Sequence, residues 1–201
     1  MSAVSPRSWR SRDPERGATL VEFAIAFPVL ILLMMGIVDF GLNYSNKVQL
    51  GNAARAAARA ASVANVGNTT DCPINVPGGL TLPTKALICS AKARTHADAT
   101  KVAVKVLYMG AHGMETTNIP WSKDVNPYSI VVCMSVATYS VTGMLSPFFN
   151  GHFQHARAVI KTASPEGHGG AFIPPGQESP LSSGGSADNW AWCTADAPGS
   201  E

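Results

Sequence analysis

A long apolar stretch near the N-terminus constrains the fold of this chain most. From Ala18 to Val38 the sequence reads ATLVEFAIAFPVLILLMMGIV, in which Thr19 and Glu22 are the exceptions to an apolar composition. A helix rises about 1.5 Å per residue, so this stretch spans roughly 30 Å, the thickness of the hydrocarbon core of a bilayer. The sequence therefore predicts a single transmembrane helix over residues 18–40.

The charges that precede the stretch predict its orientation. Four arginines lie before it, opposed by two acidic residues: Arg7, Arg10, Arg12 and Arg16 against Asp13 and Glu15. Basic residues that flank a membrane segment stay on the cytoplasmic side, which places the N-terminus inside and the following residues outside. Residues 1–17, rich in Ser, Arg and Pro, are expected to be a disordered cytoplasmic leader.

An ordinary secretory signal peptide is the alternative for this segment. The apolar run is long for the hydrophobic region of such a peptide, and the GIVDFGLNYSNK sequence that follows contains no A-x-A cleavage site. Both observations favour an anchor that is retained.

All the cysteines follow the apolar stretch: Cys72, Cys89, Cys133 and Cys193. They form no CxxC pair, so an even number on the outer side of a membrane predicts two disulfides rather than a zinc or redox site. Three connectivities are possible. We favour Cys72 with Cys89 as the nearest pair, and the NWAWC sequence indicates that the chain end docks, with a bond from Cys193 to Cys133. Buried free thiols are the alternative.

Beyond the apolar stretch the patterns predict an α+β fold. An alanine-rich helix continues to about Ser62, with small residues at four-residue spacing that permit close packing. A short second helix is expected over residues 84–98, followed by strands at 102–108, 128–141 and 152–163 that form an antiparallel sheet of about three strands. This extracytoplasmic domain would cover residues 41–164, and residues 165–201, rich in Gly, Pro and Ser, would form an irregular tail.

The composition gives no support to several classes of function. The formal net charge is +2 and charged residues make up 14% of the chain, so no clustered basic face predicts nucleic-acid binding. No G-x-S-x-G, HExxH, P-loop or dinucleotide-binding fingerprint occurs, and we expect neither an enzyme nor a cofactor. His152 and His155 form an isolated HxxH pair, which is weak evidence for a metal site, and we expect no metal.

Glu22 is the residue that departs most from its surroundings, because a carboxylate in a membrane helix costs a few kcal/mol unless it has a partner or a function. It is the fifth residue after Gly17, within the sequence RGATLVEF. This segment resembles the processing site of type IV pilins and resembles more closely that of the TadE-like pseudopilins of tight-adherence pilus systems. Gly17, Ala18, Glu22 and Phe23 fit the motif of that family, and FPVLILLMMGIVDFG, with Asp39, resembles its helix.

The resemblance implies a minor pilin or pseudopilin that acts as a structural or assembly subunit in the bacterial inner membrane. A prepilin peptidase would cut between Gly17 and Ala18, and Glu22, followed by Phe23, would set the register of packed helices. The implied partners are the membrane, other pilin subunits, the peptidase and the pilus assembly platform.

Other functions remain open at this stage. The chain would be a permanently anchored periplasmic binding module if it were never cut or assembled, and a tethered enzyme if His152, His155 and an acid converged. Glu22 would then be a side chain whose carboxylate extends to the membrane–water interface. Asp39 is interpreted as an ordinary charge at the membrane boundary.

Overall fold

The computed structural model describes residues 15–63, 66, 72–74, 79–95, 97–109, 115–116, 129–161 and 173–194. Most of the predicted leader lies outside these ranges. The chain divides into two compact units, residues 1–38 and 39–201, which are described separately.

The first helix, α1, extends from Glu15 to Ser62 and runs through Pro28. In the described part of the chain it is the one helix that is long and apolar enough to cross a membrane. The predicted N-terminal apolar helix is therefore confirmed. Residues 15–17, expected to be disordered as the end of the leader, are helical instead, because the alanine-rich and leucine-rich sequence that follows favours helix and propagates it toward the N-terminus.

In the second unit, α1 buries a line of small side chains. The buried residues of this line are Leu50, Ala53, Ala54, Ala57, Ala58 and Ala61. They pack in one cluster with Leu87 and Ile88 of the second helix and with Val104 and Val106 of the sheet. Alanine adds little bulk, so such a line permits close packing, and the exposed Arg55 and Arg59 lie outside it.

The second helix, α2, extends from Leu82 to Lys92 and is shorter than the predicted 84–98. Proline in its first turn suits the helix start, where no backbone donor is needed. After α2 the chain forms a 3₁₀ turn, Ala99–Lys101, capped by Asp98, whose carboxylate accepts from the backbone N of Thr100 at 2.9 Å. That backbone hydrogen bond, followed by the one from the Thr100 hydroxyl, lowers the pKa of Asp98.

The antiparallel sheet is built on three long strands, in the order β1, β3, β4. Its strands are β1 Val102–Met109, β2 Glu115–Thr116, β3 Ser129–Ala137, β4 Phe153–Lys161 and β5 Gly176–Gln177, with the short β2 and β5 both paired to β1. A separate hairpin joins β6 Ser182–Ser183 to β7 Ser186–Ala187, and the short helices are α3 Ser146–Phe149 and α4 Ala191–Thr194. The predicted combination of two helices and an antiparallel sheet is confirmed.

Strand β1 is buried on both faces, although its alternating pattern predicted a half-buried strand. On one face its valines pack against α1 and α2. On the other face Ala103 and Leu107 pack with Trp190 and Cys193 near the C-terminus. Tyr108 lies on the helix-covered face, donates its hydroxyl to the carbonyl oxygen of Ile173 at 2.9 Å, and has its pKa raised to about 12 by burial.

The prediction that residues 165–201 form an irregular tail is wrong for the described residues 173–188, while the predicted docking of the NWAWC sequence at residues 189–193 is confirmed. Ile173, Glu178, Trp190 and Cys193 are all buried, and β5 pairs with β1. The composition does not reveal this structure, because the apolar side chains are sparse and separated by Gly, Pro and Ser, although Ile173, Trp190 and Cys193 are core residues. The segment covers the second face of the sheet and belongs to the domain.

Two disulfides link the second unit. Cys72 is bonded to Cys89, at a sequence separation of 17, and Cys133 to Cys193, at a separation of 60. These are the two pairings that the sequence favoured. The second bond fastens α4, in the C-terminal segment, to the middle of β3.

Candidate processing and assembly segment

The predicted processing residues lie at the start of α1. Gly17 is exposed, and a Cβ at its position would meet no described atom within 4 Å. A glycine inside a helix costs roughly 1 kcal/mol relative to alanine. Neither space nor backbone conformation in the described residues therefore requires glycine at this position.

Glu22 lies on the same helix among apolar neighbours and is exposed. Within the described residues no hydrogen bond or ion pair joins its carboxylate to another group. Phe23 follows it, also exposed, and its ring lies 5.4 Å from that of Phe27. The structure thus presents a carboxylate and an aromatic pair on a helix surface, with no partner for the acid in the part of the chain that the structure describes.

The apolar surface around Glu22 is largely bare. The most apolar part of α1 has no buried residue, and many of its large side chains are more than half exposed. Examples are Leu20, Val21, Ile25, Leu33 and Ile37. A surface of this kind needs lipid or another protein to cover it in water.

Asp39 has a different environment from the boundary charge that the sequence indicated. It is the first residue of the second unit and is fully buried. Its carboxylate accepts from the Ser140 hydroxyl at 2.6 Å, from the backbone N of Val141 at 3.0 Å, and from the backbone N and hydroxyl of Thr142 at 3.1 and 2.7 Å. Asp39 therefore fixes the chain after β3 to the helix.

Asn43, one turn further along α1, strengthens this attachment. Its side-chain amide donates to the carbonyl oxygen of Asp39 at 2.9 Å and to that of Tyr139 at 3.1 Å. Gln154 of β4 donates in turn to the carbonyl oxygen of Asn43 at 3.2 Å. Sequence reasoning missed these contacts because they join residues about a hundred positions apart; the polar pair spaced one turn apart in an apolar helix was the available signal.

A buried ion pair joins α2 to the C-terminal segment. Lys92 Nζ lies 2.7 Å from Glu178 Oε1 and donates also to the carbonyl oxygen of Pro73 at 2.9 Å. The other carboxylate oxygen of Glu178 accepts from the backbone N of Val104 at 2.9 Å. Both side chains are almost wholly buried, so the pair is held by mutual charge and by the backbone groups that complete its hydrogen bonds.

The two histidines that the sequence singled out do not converge on one acid. His155 Nε2 lies 3.1 Å from Asp188 Oδ1, and the Asp188 carboxylate also accepts from Ser135 on the neighbouring strand. The ring of His155 stacks on Trp192 at 4.2 Å, which links the outer face of β4 to the C-terminal segment. His152 is exposed and outside this cluster, and the described residues contain no group of three or more potential metal ligands of the His, Cys, Asp or Glu type.

Comparison with known protein families gives a match in the N-terminal segment. The family model of the TadE-like proteins matches residues 17–59, which begin at Gly17 and end within the alanine-rich part of α1. The matched range contains Gly17, Ala18, Glu22 and Phe23, and the resemblance of this segment to the TadE-like family is thereby confirmed. No curated protein and no solved structure matches the chain significantly.

Proposed function

We propose that this chain, which carries a TadE-like segment over residues 17–59, is a minor pilin or pseudopilin of a tight-adherence pilus. It acts as a structural or assembly subunit rather than as an enzyme. The observation that carries the proposal is Glu22, an acid without a partner in the described chain, on a helix whose apolar surface is bare.

Processing is the first step of the proposed function. A prepilin peptidase at the cytoplasmic face cuts between Gly17 and Ala18 and leaves Ala18 with a free α-amino group. Glycine lets an extended backbone enter a protease cleft closely. The exposed position of Gly17, and the lack of a structural need for glycine there, support this role.

Assembly is the second step. The new amino group of one subunit pairs with Glu22 of its neighbour, and the apolar helices cover one another. The charge pair sets the axial stagger of the helices, since a buried polar group can specify register where apolar packing permits several alignments. Phe23 contributes to the apolar surface that the neighbour covers.

The proposed location is the inner membrane. The residues that follow the bilayer-spanning part of α1 would lie on the extracytoplasmic side. The two disulfides support this side, because such bonds persist in oxidising compartments such as the periplasm. The proposed partners are other pilin subunits, the prepilin peptidase and the assembly platform.

Replacing Glu22 with Gln tests the assembly step. The E22Q chain is expected to insert into the membrane normally, because the loss of a charge makes insertion easier. Its amount in the sheared pilus fraction should fall at least about tenfold, the effect of losing about 1.4 kcal/mol of subunit affinity. Immunoblots of the membrane and fibre fractions measure both quantities.

Two matched variants complete the experiment. Glu22→Asp retains the charge and should recover part of the assembly, while Leu33→Met keeps the volume of another exposed apolar side chain and should assemble normally. E22Q in the fibre at the wild-type level would contradict the register role. A permanently anchored binding module would show no dependence of pilus formation on any of these variants.

A further inference from the structure

The loop between β3 and β4 exposes an unusual amount of apolar surface. Residues 138–151, here named the apolar loop, read TYSVTGMLSPFFNG and contain no charged side chain. Val141 and Met144 are more than half exposed, and Phe148 is 74% exposed. Apolar side chains concentrated on one uncharged loop usually mark a surface that is covered in use.

The apolar loop is a closed and well-connected structure. At its base the backbone N of Thr138 donates to the carbonyl oxygen of His152 at 3.0 Å, and the Thr138 hydroxyl donates to the carbonyl oxygen of Phe149 at 2.6 Å. Gly143 adopts a φ of 76° and donates its backbone N to the Ser140 hydroxyl at 3.0 Å. The exposed side chains are therefore presented by a fixed backbone.

Asp39 of α1 holds the apolar loop through hydrogen bonds. Its carboxylate accepts four hydrogen bonds from Ser140, Val141 and Thr142, all within the loop. Met144 is two residues beyond Thr142, so its Cα lies within about 7 Å of that of Thr142. The loop is thus held at the first residue that follows the apolar stretch ending at Val38.

This position corresponds to the headgroup layer of an anchored chain. If residues 18–38 cross the hydrocarbon core, Asp39 lies at its outer edge, and the headgroup layer continues for roughly 5–8 Å beyond that edge. The loop residues hydrogen-bonded to Asp39, which are Ser140, Val141 and Thr142, lie within that depth. Because those bonds surround the carboxylate, Asp39 presents no bare charge to the lipid.

We infer that the apolar loop is a lipid-contacting surface, which inserts Val141, Met144 and Phe148 into the headgroup–acyl boundary of the outer-facing leaflet. The inference rests on the membrane anchoring in the proposed function. Lipid fits better than a second protein because the surface has no charge to specify a partner and is hydrogen-bonded to Asp39, the residue that follows the membrane segment in the sequence. Apolar and aromatic side chains favour this boundary.

The test uses the full chain in phosphatidylcholine vesicles whose acyl chains carry bromine, a contact quencher of tryptophan emission. Phe148→Trp places a reporter on the apolar loop, and Val63→Trp places a matched reporter at another exposed position. Val63 directly follows α1, about 35 Å along the helix axis from Asp39. Both variants retain the same four native tryptophans, so their difference isolates the added residue.

The expected result is that brominated lipid removes the added emission of F148W and leaves the added emission of V63W unchanged. Equal emission changes in the two variants would overturn the inference, while flotation of both chains with the vesicles would still support anchoring. Emission of F148W that is blue-shifted yet unquenched would assign the loop to a second copy of the chain and would also overturn it. Chains that do not float would contradict the anchoring and the inference together.

Discussion

Replacing Glu178 with Ala is expected to remove about 3–5 kcal/mol from the free energy of unfolding, because it leaves the ammonium of Lys92 buried without its counter-charge. Lys92 is 3% exposed, and its ammonium also donates a hydrogen bond to the carbonyl oxygen of Pro73. The same change removes the acceptor for the backbone N of Val104 in β1. Since a domain of this kind is stabilised by about 5–15 kcal/mol in total, the loss would remove at least about a fifth of that stability.

Urea unfolding of the full chain in a non-ionic detergent, followed by tryptophan fluorescence, measures this effect. Trp190 is a suitable reporter, because its indole N donates to the carbonyl oxygen of Glu178 at 3.0 Å. The double variant Lys92→Met with Glu178→Leu is the matched control, since it removes both charges and keeps the volume apolar. Both variants lack the acceptor for the backbone N of Val104, so the double variant should be more stable than E178A by the cost of the unpaired ammonium. A single variant as stable as the double variant would show that the ion pair carries no such role.

Removing the Cys133–Cys193 bond is expected to cost about 4 kcal/mol, against about 3 kcal/mol for Cys72–Cys89, because the longer loop restricts the unfolded chain more. The two bonds have sequence separations of 60 and 17. Removal of each disulfide is also expected to loosen a different part of the fold. Loss of the longer link frees the C-terminal segment and uncovers the face of the sheet formed by Ala103, Leu107 and Val131.

The paired variants C133A/C193A and C72A/C89A separate these effects. Denaturant unfolding gives the two stabilities, and hydrogen exchange shows where protection is lost. In C133A/C193A we expect faster exchange across residues 173–194 and stronger binding of a dye for exposed apolar surface. In C72A/C89A the faster exchange should be confined to α2 and its neighbours. Identical exchange patterns would be inconsistent with the covering role of the C-terminal segment.

The sequence predicts those parts of the fold that depend on local pattern. The apolar run before Val38 gives α1, and the alternation of valines from Val102 gives β1, because both signals lie within a few neighbouring residues. Gly17 and Glu22 attract attention for a related reason: each is a poor choice for its local surroundings. The match over residues 17–59 supports the family suggested by those residues.

The sequence does not predict contacts between distant segments. Asp39 accepts hydrogen bonds from Ser140 and Thr142, and Lys92 forms an ion pair with Glu178. These residues are too far apart in the sequence for a periodic pattern to reveal the contacts. Residues 173–188 are wrongly predicted as an irregular tail, because Gly, Pro and Ser dominate their composition. One signal was available: β3 is apolar on both faces, as in the sequence SIVVCMSVA, so something beyond the two helices had to cover its second face.

The mass of the N-terminal peptide in the membrane-bound protein tests the central claim most directly. The chain would be produced with an active prepilin peptidase and, in parallel, with a catalytically inactive one. With the active enzyme the account predicts a mature chain that begins at Ala18, and with the inactive enzyme a chain that retains Gly17 and the leader. A chain that begins at Met1 in both preparations would contradict processing, and with it the proposed role of α1 as an assembly helix.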